Sequence, residues 1–327
     1  MNFSSDIIAG SFASMFKQYA AICYEFFRKY NFSEDLLANL NTTVDGDGFF
    51  LYVPAGAKPT KPIKTANLID RTNGIPIQSC NLVMMEAGSS INLLLSDFDL
   101  LGESCMTVVA LGEDAHLEMV RLQKMNSVTR LNTNTTVQQA ASSRMKTHFI
   151  TLSGNTVHNR LKVTLGGHKA EHLATGLSLM HQNEHVVNDM LMIHASPDCQ
   201  SNQLFKNIVS DTSTGVFTGR IIVNRDAQKT MAYQRSNNIL LHPKAKMNIR
   251  PQLEIYANDV KCSHGATVGQ LDAEALFYLR SRGIDESKAK KMLLRAFAEE
   301  IINGISCIDL RESVMREMTN CVTYFCE

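Results

Sequence analysis

The sequence predicts a mainly β chain: a short helical region over 1–45, a β body over 46–270 and a helical module over 271–327. Three observations carry this. Period-two alternation begins at Phe49-Phe50-Leu51-Tyr52-Val53, directly after the punctuated Asp45-Gly46-Asp47-Gly48. From there to about residue 270, short runs of strand texture recur between Gly, Asn, Asp and Pro, with no long helical period among them. Beyond residue 270 the apolar spacing changes to three and four.

In front, Ile7, Phe12, Met15, Phe16, Tyr19, Ile22 and Phe26 recur at mixed spacings of three, four and five, which predicts helix from about residue 6 to residue 40. Ser33 is placed to cap a short second helix at Glu34-Asp35-Leu36-Leu37. In the body, Leu161, Val163 and Leu165 alternate with Arg160, Lys162 and Thr164; Ile221 with Val223, Met247 with Ile249 and Leu253 with Ile255 repeat the pattern. Strands this short and numerous suit a sandwich, a barrel or a solenoid, and without a strict repeat the periodicity leaves all three open. Behind the body, Asp272 caps a helix that ends at Gly283. Asp285 opens a second, with Ala289, Met292, Leu293, Ala296, Phe297, Glu300 and Ile301 on one stripe. Asp309 and Glu312 form a capping-box pattern for a third, carrying Val314, Met318, Cys321, Val322 and Phe325.

With 327 residues, 44% of them apolar and 20% charged, the chain has material for a substantial core. Lys plus Arg equal Asp plus Glu at 32 each, so no global field draws in nucleic acid or an anionic membrane. No signal-peptide pattern opens the sequence and no apolar run reaches membrane-spanning length, so a cytoplasmic location is expected. The eight cysteines are scattered and form no CxxC pair, which reads as reduced thiols. Self-contained zinc or iron–sulfur sites draw clustered ligands, so the isolated chain is expected to hold no cofactor stably. Nor is there a GxxxxGK[ST] loop, so any ATP hydrolysis must come from a partner.

The candidate chemistry lies in Asp259-Val260-Lys261-Cys262-Ser263-His264-Gly265-Ala266. In a strand, Val260, Cys262 and His264 share one face, so a thiol and an imidazole point the same way; both suit iron and sulfur species. On spacing alone the plainer reading, a buried thiol beside a structural histidine, is favoured. A metalloenzyme built on His181, His185 and His194 is a weaker rival, because Leu177 and Leu179 lead into His181 with period two and no zincin Glu follows. A solenoid carbohydrate enzyme would want paired carboxylates, and the acidic residues here are dispersed.

The wider stretch changes that balance. Residues 251–269, Pro-Gln-Leu-Glu-Ile-Tyr-Ala-Asn-Asp-Val-Lys-Cys-Ser-His-Gly-Ala-Thr-Val-Gly, are followed by Phe277-Tyr278-Leu279-Arg280-Ser281-Arg282-Gly283-Ile284. Together they resemble the signature of the SufB/SufD family of the SUF iron–sulfur cluster assembly system, in its SufD form. The likeness continues in His185-Val186-Val187-Asn188-Asp189, His194, Cys199-Gln200-Ser201-Asn202-Gln203-Leu204-Phe205-Lys206 and Val216-Phe217-Thr218-Gly219-Arg220-Ile221, and more faintly from Asp47-Gly48. SufB-type relatives typically replace the Lys261–Ala266 segment with a Glu-His-Glu-Ala type of sequence and often carry extra cysteines. Family members usually have a longer N-terminal helical region than this chain. The resemblance implies a right-handed parallel β-helix and a non-catalytic scaffold role with two partners, a SufB-type paralogue and a SufC-type ABC ATPase. A solenoid presents long flanks and ends for pairing, so the isolated chain could pair with itself; the sequence leaves homodimer and monomer both open. His264, and after it Cys262, would handle iron or a transient cluster at the subunit interface. The C-terminal helices, with Met292, Leu293, Phe297 and Ile301 on the apolar stripe, would dock the ATPase.

Overall fold

In the computed structural model, described over residues 6–30, 32, 48–67, 78–98, 103–125 and 130–325, the body is a parallel β-solenoid of about seven turns. Each turn contributes one strand to each of two sheets. The first sheet holds β1 (Ile8–Ser11), β2 (Phe49–Val53), β4 (Gln78–Met85), β6 (Glu103–Leu111), β8 (Arg130–Gln139), β10 (Thr156–Leu165), β12 (His185–His194), β14 (Thr214–Val223) and β16 (Lys246–Ile255). The second holds β3 (Ile63–Asn67), β5 (Ser90–Phe98), β7 (His116–Lys124), β9 (Arg144–Ser153), β11 (Glu171–Met180), β13 (Gln200–Val209), β15 (Thr230–Leu240) and β17 (Val260–Gly269). All pairings are parallel except that of β1 with β2. Four helical segments accompany them: α1 (Phe12–Lys29), α2 (Ala273–Ser281), α3 (Glu286–Ile302) and α4 (Ile308–Val322), the last followed by a 3-10 turn, Thr323–Phe325.

A backbone device repeats at one corner of the solenoid. Gly56, Gly88, Asp114, Ser142, Lys169, Asp198 and Lys229 all adopt positive φ there. Each donates its N–H to a carbonyl one turn onward, as in Asp114 to Ala141 (3.0 Å), Ser142 to His168 (2.9 Å) and Asp198 to Gln228 (2.9 Å). Left-handed φ turns the chain sharply, and short polar side chains tolerate it better than branched ones. The next residue always points into the corner and is small: Ala57, Ser89, Ala115, Ser143, Ala170, Cys199 and Thr230. Polar members satisfy turn carbonyls, Ser143 Oγ donating to Ala140 O (2.7 Å) and Cys199 Sγ to Gly167 O (3.2 Å).

Between the sheets, inward ladders include Leu161 and Val163 of β10, Met190 and Met192 of β12 and Ile221 and Val223 of β14, all buried. Polar residues are buried there too. Asn159 accepts from Gln123 Nε2 (2.9 Å) and Thr133 Oγ1 (2.8 Å) and donates to Asn188 Oδ1 (3.1 Å). Arg121, fully buried, grips Asp97 through Nε (2.7 Å) and Nη2 (3.2 Å). The partners these groups find offset the cost of their burial.

Two outer faces are covered. Phe12, Phe16, Cys23, Phe26 and Phe27 of α1 pack on Phe50, Tyr52, Leu82, Met84 and Val108 of the first sheet. Opposite, Leu294, Ala298, Ile301 and Ile302 of α3 and Leu310, Val314 and Met318 of α4 cover Val120, Leu122, Ile150, Leu177 and Ile208 of the second. The helical module thus shares a core with the solenoid rather than closing on itself.

Several expectations need correction. Helix does not begin near Asp6: Ile8–Ser11 pairs with β2, and Ser11 caps α1 through its side chain. The mixed spacing of three, four and five reflects a kink at Tyr19, where φ is −114° and ψ 20°. The short helix expected at Glu34-Asp35-Leu36-Leu37 lies outside the described residues. Ile255 extends the Val223 ladder but is 40% exposed, because no turn follows it. Asp309 is not a cap; α4 starts at Ile308 after Cys307, whose side chain makes no capping bond. A tertiary contact replaces it: Glu118 of β7 accepts from Ser306 N (2.7 Å) and Cys307 N (2.9 Å). Asp272 does cap α2, accepting from Glu274 N and Ala275 N, and Gly283 ends it at φ +82° with its N–H on Arg280 O (2.9 Å).

Candidate functional site

The final turn of the solenoid is open. Among the described residues β16 and β17 each have a hydrogen-bonded neighbour on one side only, leaving a row of backbone donors and acceptors along each free edge. Met247, Ile249 and Leu253 of β16 and Val260 and Cys262 of β17 point inward but are only partly covered, since no further rung lies on them. Natural solenoids blunt such ends with caps, and an uncovered end is a template for strand or end-to-end pairing. At the other end of the first sheet, β1 supplies that cover.

Strand β17 carries the two residues singled out by sequence. Cys262 stands in register with Ala232 of β15, and His264 with Gln234. Their side chains share the inward face roughly 7 Å apart along the strand. Cys262 is half-buried against the core and His264 is exposed at the mouth of the open end. Burial pushes the Cys262 thiol up from its usual range, only partly offset by a backbone hydrogen bond with Ala232. The thiol is therefore mostly protonated near neutrality until a metal or a positive partner group stabilises its thiolate. Below His264 in the same ladder sit Gln234 and Gln203, both buried, with Gln234 Nε2 donating to Gly219 O (3.3 Å). Gly219 is required for that fit, because a Cβ there would meet the Gln234 amide at 2.4 Å.

The other histidines do not assemble a site. His172 is buried between Gln139 Oε1 (2.7 Å) and Thr147 Oγ1 (3.2 Å), and burial lowers it to about 3. His194 points inward, shares a hydrogen bond with Ser201 Oγ (2.8 Å) and is lowered by burial to about 4. His181 lies at a turn, hydrogen-bonded to Glu184 (3.1 Å) and stacked on Tyr324 at 5.8 Å. Among the described residues no three His, Cys, Asp or Glu side chains converge as a metal centre. Cys199 fills a solenoid corner, where burial raises its thiol to about 11, so its role is packing.

Beside the open end, α2 presents Phe277, 75% exposed, and Tyr278, while Tyr256 and Val268 stand exposed on the last turn. A cleft of about 660 Å³, lined by Leu240, Val268, Leu271, Leu276 and Leu294 among others, separates that turn from α2 and α3. In the sequence these residues stand out as pattern and not as a site. The pairing of consecutive aromatics at 277 and 278 was the available signal, since neither is buried although they lie on a helix. The apolar stripe of α3 divides: Met292 is 44% exposed and Leu293 half-buried, whereas Phe297 packs under Lys206 Nζ (4.2 Å to the ring centroid). Ile301, 1% exposed, is sealed in the seam with the second sheet and is not available to a docking partner, contrary to the sequence-based assignment.

Residues 68–297 match the family described as SUF system FeS cluster assembly, SufBD core domain, and residues 1–65 match the SufBD protein N-terminal region. The chain belongs to the SufBD family. Similar proteins include an iron–sulfur cluster assembly SufBD family protein of Synechocystis, 30% identical over 88% of this chain and 66% of that protein. The iron–sulfur cluster assembly protein SufD of Escherichia coli is 36% identical over 62% of this chain and 48% of its own length. A chloroplastic protein of Arabidopsis thaliana, ABCI7, is 30% identical over 86% and 62% respectively. The chain thus spans between about half and two thirds of the length of these relatives. No helix among the described residues is long and apolar enough to cross a membrane.

Proposed function

We propose that this SufBD chain is a non-catalytic scaffold subunit of an iron–sulfur cluster assembly complex, and that the open last turn is where it meets a SufB-type paralogue. The observation that carries the reading is the juxtaposition of a bare double sheet edge with a thiol and an imidazole facing the gap. Strand addition to β16 or β17 by a homologous solenoid would satisfy the free backbone groups and cover Met247, Leu253 and Tyr256. His264 and Cys262 supply two ligands, fewer than an iron or a cluster takes, so the remainder would come across the interface. Iron and sulfide are cargo in this reading, held transiently and passed on. In the absence of the paralogue, a second copy of the chain would take the same edges. The reducing cytosol is the compartment that suits such chemistry, since Cys262 must remain a thiol to act.

The C-terminal module is the proposed seat of a SufC-type ABC ATPase. Met292 and Leu293 on α3, with Phe277 and Tyr278 on α2, offer apolar surface that the solenoid does not use. Met292→Asp should leave the β body folded and abolish co-purification of the ATPase; undiminished pull-down would refute the docking assignment.

The decisive test uses the chain co-expressed with SufB-type and SufC-type partners. His264→Ala should keep the melting temperature and complex formation and lower the iron content of the purified complex, with Cys262→Ser giving a smaller loss. Normal iron loading in His264→Ala, or an unfolded subunit, would make the histidine structural and sink the site assignment.

A further inference from the structure

The outer face of the first sheet beyond α1 is uncovered among the described residues, and its chemistry differs from that of every covered face. Helix α1 packs on β2, β4 and β6, with its end at Lys29 bordering a cleft beside Gln138 of β8 and Thr164 of β10, and the C-terminal helices lie on the opposite sheet. Along β10, β12, β14 and β16, the even positions of β10, β14 and β16 and the odd positions of β12 point outward, as the alternation of burial shows. The second sheet places leucine, isoleucine and valine at such positions under its helices. Here instead Arg160, Lys162, Arg220, Lys246 and Arg250 face out, opposed only by Asp189 and Glu254. Since Lys plus Arg and Asp plus Glu balance at 32 each over the whole chain, this excess is local.

The register orders these groups into rows across the strands. Arg160, Asp189, Thr218 and Arg250 form one row, and Lys162, Leu191, Arg220 and Gln252 the next. A groove of about 410 Å³ follows the rows from Asn134 and Thr136 on β8 to Gln252 on β16. Five strands at about 4.8 Å spacing make it roughly 19 Å long, which accommodates about six residues of extended polypeptide. Flanking it, Val187, Ile193, Val216 and Ile222 are half-buried and give an apolar margin. Glu254 is already engaged, 3.7 Å from Arg220 and accepting from Gln252 Nε2 (2.9 Å), whereas among the described residues Arg160 forms no ion pair and donates a long 3.5 Å hydrogen bond to the neutral Asn134 Oδ1.

We infer that this groove is a docking site for an acidic, extended polypeptide segment of a partner protein. Charge complementarity selects the sign: carboxylates set along the groove would pair with Arg160, Lys162 and Arg220, where guanidinium forks accept bidentate partners. The apolar margin and the central Asp189 select polypeptide over nucleic acid. A phosphate backbone wants a denser, unbroken positive track and aromatic platforms for its bases, and no Phe or Tyr lies on this face. The inference is independent of the cluster-handling residues Cys262 and His264, which lie on β17 in the other sheet, although β16 borders both the groove and the open end.

The test is fluorescence anisotropy of the full chain with a fluorescein-labelled peptide of about eight alternating Glu and Val residues. Saturable binding is expected, weakened by added salt and weakened at least about tenfold by combined Arg160→Glu, Lys162→Glu and Arg220→Glu. Lys288→Glu with Arg311→Glu on the helical module should leave it unchanged. Circular dichroism checks folding; if the reversed variant fails to fold, glutamine at the same three positions should still weaken binding severalfold. Absence of saturable binding, equal loss in the module variant, equal affinity for a Lys–Val peptide, or tighter binding of a thymidine oligonucleotide of the same charge would each overturn the proposal.

Discussion

Glu118 offers the sharpest test of how the helical module is fixed to the solenoid. Its carboxylate, buried between β7 and the start of α4, accepts from Ser306 N and Cys307 N at 2.7 and 2.9 Å, and His148 Nε2 stands 3.4 Å away without hydrogen-bond alignment. Burial by itself would raise the carboxyl; His148 and the two backbone N–H groups more than offset it and hold it at about 2, against an ordinary 4.5. At about 1.4 kcal/mol per pH unit, that difference corresponds to roughly 3 kcal/mol of stability. Because the folded value is depressed, the contribution is complete above about pH 4.5 and is lost as pH falls towards about 2. Glu118→Gln keeps the shape but presents an amide whose N–H₂ confronts donors, so it should lose about 2–4 kcal/mol near neutrality. Urea unfolding followed by circular dichroism across this pH range reads the effect, and hydrogen exchange should accelerate first in 306–322. A variant within about 0.5 kcal/mol of the parent at pH 7, or a deficit that stays constant from pH 6 to pH 2, would refute the tertiary cap.

Three further outcomes are expected. Arg121→Met removes the guanidinium that grips the buried Asp97 carboxylate through Nε and Nη2 and should cost about 3–5 kcal/mol in chemical unfolding, while Arg121→Met with Asp97→Leu should recover much of it. Ile301→Ala opens a cavity in the seam and should cost about 2–5 kcal/mol, whereas Met292→Ala, on the exposed face, should stay within about 0.5 kcal/mol. Gly167→Ala should prevent correct stacking of that corner, because its Cβ would sit 2.0 Å from Ala141 N, and a soluble variant with unchanged thermal stability would contradict the corner geometry.

The sequence by itself determined that a strand begins at Phe49, the alternation that puts Val163 inside and Arg160 outside, and the caps at Asp272 and Gly283. These are local: period, capping chemistry and glycine freedom act within a few residues of chain. It also marked Cys262 and His264 as sharing a face, which follows from strand geometry alone. Only the tertiary structure decided which apolar faces stay covered. Ile301 and Met292 occupy one nominal stripe, yet the second sheet packs on the first and leaves the second exposed. The repeat of left-handed corners escapes a search for sequence identity, because Gly88, Asp114, Ser142 and Lys169 share a backbone angle and not a side chain. Glu118 was equally invisible, since the first backbone N–H it accepts from, that of Ser306, lies 188 residues later in the chain. The open end, finally, is a property of stacking: Ile255 and Val223 have the same strand chemistry, and what leaves one exposed and the other buried is whether another turn follows, which no window of sequence around either residue can encode.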